Sequence, residues 1–113
     1  MHELSLMEQT LAIALEHAQR EGACHIHQLT MRVGALSGVV PDALRFAFDV
    51  LTRGTMAEGA QLTIESVPIV ARCARCDREF EAADLLGECP GCGETATELR
   101  QGRELELASL EVS

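Results

Sequence analysis

Apolar residues recur every three to four positions near the start of the chain. Leu4, Met7, Leu11, Ala14, Leu15 and Ala18 fall on one face, with Glu8, Glu16 and Arg20 elsewhere. This predicts an amphipathic helix over residues 5–21. Ser5 and Glu8 have capping-box spacing, in which each side chain satisfies a free backbone donor. Gly22 is placed to end the helix in a left-handed conformation. A helix capped at Ser5 leaves Met1, His2 and Glu3 projecting ahead of it, exposed and mobile. The period then drops to two. His27, Leu29, Met31 and Val33 alternate with Gln28, Thr30 and Arg32, the pattern of a half-buried strand. After a turn-rich stretch at 34–38, Pro41 suits the first position of a second helix, which runs to about residue 53 and stops at Gly54. Leu44, Phe46, Ala47, Phe48, Val50 and Leu51 cover more than one of its faces, which predicts deep burial. Residues 62–67 form a second strand ended by Pro68, and 105–112 a third. The third strand's alternation slips between Leu107 and Leu110, which predicts a bulge near Ala108 and Ser109.

The segment between the second and third strands is of another kind. From about residue 72 to 98 it is short, polar and irregular, and it holds two Cys-x-x-Cys pairs, Cys73/Cys76 and Cys89/Cys92. Four thiolates at this spacing can wrap one ion tetrahedrally, and zinc is the usual occupant. Pro90, Gly91 and Gly93 suit the second pair to a tight turn; the first pair lacks such residues. Sulfur in all four positions leaves no open site for water, so the zinc is structural. The fold class is therefore α/β: a small three-stranded mixed sheet packed by two helices, with an inserted zinc-ribbon-like lobe. Residues 1–70 plus 100–113 make the α/β domain, and 71–99 the four-cysteine lobe. Pairing of the second and third strands would bring the lobe's ends together.

Composition narrows the function. The chain has 113 residues and a formal net charge of −9, which argues against a nucleic-acid partner and favours cations. It has no Lys, which excludes Schiff-base chemistry. No apolar run approaches membrane-spanning length and no signal peptide is evident, so a cytoplasmic protein without a membrane partner is expected. In that compartment five cysteines read as metal ligands plus one spare thiol, Cys24. No Ser–His–Asp set, phosphate loop or catalytic carboxylate pair is present, so an enzyme is not expected.

The other end of the chain offers a different donor set. The Met1 amine, the His2 amide nitrogen and the His2 imidazole can close adjoining chelate rings on one ion, and Glu3 can add its amide or carboxylate. Such a nitrogen-rich planar set favours nickel(II) or copper(II). The amine and imidazole must both be deprotonated, with reference pKa values of about 7.7–8.0 and 6.5, so acid should release the ion. His25 and His27 share one strand face beside Cys24, a geometry that permits metal binding, though such a pair more often lacks a ligand role. His17 falls on the polar side of the first helix.

Met1-His2-Glu3-Leu4-Ser5-Leu6-Met7, the 34–38 run Gly-Ala-Leu-Ser-Gly, the 46–51 run Phe-Ala-Phe-Asp-Val-Leu, Arg53-Gly54, Ala57-Glu58-Gly59 and the two cysteine pairs together resemble the HypA/HybF family of hydrogenase nickel-incorporation proteins. The resemblance covers essentially the whole chain. It implies a metallochaperone that delivers nickel to the large subunit of nickel–iron hydrogenase, working with a HypB-type GTPase; some members also serve urease. It implies that His2 is the essential nickel ligand with Met1 and Glu3 beside it, and that Cys73, Cys76, Cys89 and Cys92 hold structural zinc. Unlike some relatives, this chain has no histidine flanking the cysteine pairs. The long connections to the lobe would permit a homodimer that exchanges it. The rival readings are a zinc-stapled adaptor with no transported metal, and a thiol oxidoreductase.

Overall fold

The computed structural model describes residues 2–82, 87–95 and 98–113. Two helices and six strands follow in the order α1 (His2–Arg20), β1 (Ile26–Gly34), α2 (Pro41–Leu51), β2 (Gln61–Val67), β3 (Ile69–Cys73), β4 (Arg78–Ala82), β5 (Glu98–Gln101) and β6 (Leu105–Val112). They form two three-stranded sheets, β2-β1-β6 and β4-β3-β5. Contacts divide the chain into two compact units, one of residues 1–31, 39–65 and 106–113, the other of 32–38 and 66–105.

In the first unit α1 packs against α2. The face read from the sequence is the one buried: Met7, Leu11, Ala14 and Ala18 are shielded from solvent. Gly22 ends the helix as expected, at φ +73°. Its N–H donates to Gln19 O at 3.0 Å and the N–H of Ala23 to Ala18 O at 3.0 Å, the paired bonds of a Schellman cap. The start of α1 differs from expectation. The helix begins at His2, so Ser5 lies inside it and His2 and Glu3 form its first turn. In α2, Leu44, Ala47 and Phe48 are buried, but Phe46 is 72% and Val50 41% exposed. Only one apolar face of this helix meets the core. The helix also stops earlier than expected, at Leu51, where the N–H and hydroxyl of Thr52 both donate to Phe48 O.

β1 is the central strand, so β2 and β6 do not pair with each other. His25 and Ser113 exchange both backbone hydrogen bonds, and Gly34 N–H donates to Glu104 O at 2.7 Å. Positions 25 to 34 and 104 to 113 are each nine residues apart, so the strands run antiparallel with no net residue inserted. The slip in β6 is therefore not the expected bulge: buried positions slip in β1 too, between Ile26 and Leu29. Contacts of β1 with the β2 segment advance in the same direction (Ile26 with Met56, Gln28 with Thr63, Ala35 with Val67), which makes this pair parallel and the sheet mixed.

The second unit is larger than the 71–99 segment expected, because it is built on a sheet. β3 pairs antiparallel with both β4 and β5. Ile69, Ala71 and Cys73 are buried on alternate positions, and Phe80 of β4 packs with Ala71 and Cys73. The ends of the cysteine segment do come together, through Val70 paired with Gln101. Gly34 holds the closest backbone approach here. A Cβ at this position would stand 2.2 Å from Gly102 O and 2.3 Å from Gly102 C. Backbone cannot rotate aside as a side chain can. Gly34→Ala is accordingly expected to destabilise this unit by about 3 kcal/mol or more, the upper end of overpacking costs, read as a fall in its denaturant midpoint at unchanged m.

Candidate metal centres

The four cysteines converge although the first pair follows β3 and the second lies in a loop. Cys73 ends β3, and Cys76 lies in the turn to β4. Asp77 closes that turn at φ +52°, an angle Asp tolerates better than most residues, with its carboxylate on Arg72. This Asp supplies the turn geometry for which the first pair has no glycine. In the second pair Cys89 N–H donates to Glu94 O and Gly93 N–H to Cys89 O, both at 2.8 Å, with Gly93 at φ +75°. Arg75 reaches Glu94 at 3.1 Å, joining the two turns at the surface.

All four Sγ atoms lie within 4.8 Å of one another. Cys73 and Cys92 sulfurs are 3.6 Å apart, and Cys76 and Cys89 sulfurs 3.8 Å. A zinc–sulfur length of about 2.3 Å in a tetrahedron requires edges of about 3.8 Å, which these two separations match. Burial raises the Cys89 thiol, but the N–H groups of Gly91 and Cys92 and the neighbouring thiols outweigh it and pull Cys89 down to about 7. Gly91 N–H stands 3.3 Å from that sulfur. Cys76 is pushed up to about 12 by its bonds to Cys92 and Cys89, with burial adding. One thiolate is thus formed readily, and a divalent ion displaces protons from the others. The cluster is also the unit's core: Ala71, Cys73, Phe80 and Cys89 are buried together, with Cys76, Ala82 and Cys92 packed on them. With a sulfur at each of four corners, the cluster fits a closed structural zinc site.

At the amino end, Met1 lies outside the described residues. The His2 side chain is 62% exposed, and its Nε2 lies 3.9 Å from Glu3 Oε2. Glu3 is not free as expected. Its carboxylate accepts from the N–H of Val40, the residue ahead of α2, at 3.3 Å. The pKa of Glu3 is lowered, first by its own backbone N–H, then by that of Val40, with His2 adding a smaller attraction. Nothing in the sequence pattern points to Val40, because the partner is a backbone group 37 positions away. A depressed carboxylate pKa contributes stability that is complete above the unfolded value and lost as pH falls through the folded one. The stabilisation of wild type over Glu3→Gln is therefore expected to be full at neutral pH. It should vanish only when pH drops below Glu3's ordinary 4.5, as thermal melts across a pH series would show.

His17 and Cys24 are exposed. His25 and His27 stand together at the entrance to β1, with ring centroids 4.6 Å apart. Among the described residues no helix is long and apolar enough to cross a membrane.

The family profile described as hydrogenase/urease nickel incorporation, metallochaperone, hypA matches residues 1–112. The chain belongs to the HypA family. A hydrogenase maturation factor HypA from Picosynechococcus sp. is 53% identical over 112 residues, covering 99% of each chain. One from Acidithiobacillus ferrooxidans is 42% identical, again over 99% of each. Among solved structures, a solution structure of HypA protein superposes with a TM-score of 0.74 at 27% identity, covering 100% of this chain and 97% of that one. The nickel metallochaperone HypA from Helicobacter pylori superposes with a TM-score of 0.66 at 25% identity, over 97% and 96%. HypA is a family of nickel metallochaperones acting in hydrogenase maturation, and a four-cysteine cluster that fits structural zinc accords with the two cofactors expected.

Proposed function

We propose that this protein carries nickel(II) at its amino terminus and delivers it to the large subunit of nickel–iron hydrogenase, or to urease, in the cytoplasm. A HypB-type GTPase assists, and the protein itself catalyses no reaction. Met1, His2 and Glu3 hold the cargo. Cys73, Cys76, Cys89 and Cys92 hold the structural zinc. The cargo residues lie within 1–70 and the zinc residues within 71–99, which separates these two tasks along the sequence.

The observation that carries this reading is the exposed His2 imidazole in the first turn of α1, in a chain of this family. The first four N–H groups of a helix have no intrahelical acceptor, so the His2 amide can give up its proton without breaking a helical bond. Glu3 differs: its own backbone N–H is the largest influence lowering its carboxylate pKa, which ties the amide to the side chain. The planar nitrogen set thus ends at His2, and the Glu3 carboxylate remains as neighbour and negative charge. A helix N-terminus is the positive end of the macrodipole, which disfavours a cation there by about 0.3–1 kcal/mol. Chelation overcomes that repulsion, yet the repulsion weakens the hold, which suits a carrier that must release its ion.

Titration of zinc-loaded protein with its native terminus tests the proposal. One equivalent of nickel should bind while zinc stays, and acid should release the nickel. Material that retains zinc and takes up no nickel would instead be a zinc-stapled adaptor.

A further inference from the structure

His25 and His27 are absorbed by neither metal centre. Two positions apart at the mouth of a strand, they leave the same face. Their ring centroids are 4.6 Å apart, with planes at 62°. One ion bound to two imidazoles at about 2.0–2.1 Å holds the ligating nitrogens about 3 Å apart, so rotation of the side chains suffices to bring both to a shared ion. His27 is exposed and His25 half-buried, which leaves the ion a route from solvent.

The backbone beneath the pair is fixed. His25 and Ser113 exchange both N–H···O bonds at 3.0 Å, and Cys24 N–H also donates to Ser113 O at 2.8 Å. Ser113 Oγ lies 2.5 Å from His27 Nε2. An outer hydrogen bond of this kind orients an imidazole and leaves the opposite nitrogen to a metal.

We infer that His25 and His27 form a second, surface site for a borderline divalent cation (nickel, copper or zinc), held by two imidazoles with water completing the shell. The net charge of −9 draws cations to the surface. With nitrogen donors the order of affinity is copper above nickel and zinc. The site is separate from the amino terminus. His2 opens α1 and His25 follows its far end, and 19 residues of helix rise about 28 Å, too far for one ion to bridge. The inference therefore needs neither Met1 nor His2.

The test uses full-length, zinc-loaded protein carrying His2→Ala, titrated with copper(II) or nickel(II) chloride. A residual equivalent should bind. Substoichiometric copper should broaden the imidazole NMR signals of His25 and His27 before that of His17. Adding His25→Gln and His27→Gln should weaken the residual binding at least about tenfold, with zinc content and melting temperature unchanged. No residual binding overturns the inference, as does broadening of His17 alone, or a double variant that binds as its parent does. If His2→Ala leaves the principal nickel affinity untouched, the carrier reading fails, while the copper-broadening pattern still decides this one.

Discussion

Replacing Cys89 with serine is expected to cost at least about a hundredfold in zinc affinity and to unfold residues 66–105. Losing even an outer partner of a metal ligand costs about 10–100-fold, and a ligand contributes more than its partner. Structural zinc binding is folding free energy, about 10–16 kcal/mol in small zinc domains at neutral pH. Here little else replaces it. The buried cluster around the sulfurs consists of Ala71, Cys73, Phe80 and Cys89, so half of it is cysteine proposed to hold the zinc. A stretch of this size without its staple falls below what a hydrophobic core supports alone. Cys89 is more sensitive than Cys76 for a further reason. Gly91 N–H points at its sulfur, and it forms a thiolate at about pH 7, ahead of Cys76. Amide exchange should show protection lost across 66–105, while the helical signal of α1 and α2, whose core contains no cysteine, persists. A serine variant that keeps one tightly bound zinc and full protection contradicts this account.

What could be read from the sequence follows how local each cause is. The cysteine pairs were legible because two ligands three apart encode their own turn geometry. β1 was legible from its alternation, and Leu29, Met31 and Val33 are buried, but His27, expected on their face, is exposed and Ile26 is buried instead. The start of α1 was not. Ser5 and Glu8 imitate a capping box, whereas the helix reaches back to His2, where Glu3 bonds a backbone N–H just ahead of α2. No local pattern carries that information. The burial of α2 was overestimated because a helix apolar on several faces does not say which face meets the core; Phe46 and Val50 face solvent. The strands of the cysteine unit escaped notice because polar residues such as Arg72 and Glu79 interrupt short runs. Their inward positions, Ala71, Cys73 and Phe80, are few and include a ligand. For the proposed nickel donors the sequence supplied residue types, and the helix start moved His2 and Glu3 from the expected loose tail into an ordered first turn.

That setting makes the second large effect sharp. Placing two extra residues ahead of Met1, or substituting His2→Ala, is expected to lower nickel affinity at least about a hundredfold, equivalent to about 2.7 kcal/mol. The two changes remove different donors. An extension turns the terminal amine into an amide and abolishes the outer chelate ring; His2→Ala removes the imidazole and the inner one. Each leaves the His2 amide without a second ring to hold its deprotonated form. Neither change reaches the helix's buried face, which begins at Met7, nor the cysteine cluster. Zinc content and melting temperature should therefore match wild type, which separates a lost ligand from a lost fold. His17→Ala, an exposed histidine on the same helix, should bind nickel as wild type does. Isothermal titration with nickel at neutral pH reads all three proteins on one scale. An extended His2→Ala protein with wild-type nickel affinity would place the cargo elsewhere, and no donor set at the start of α1 could then be its carrier.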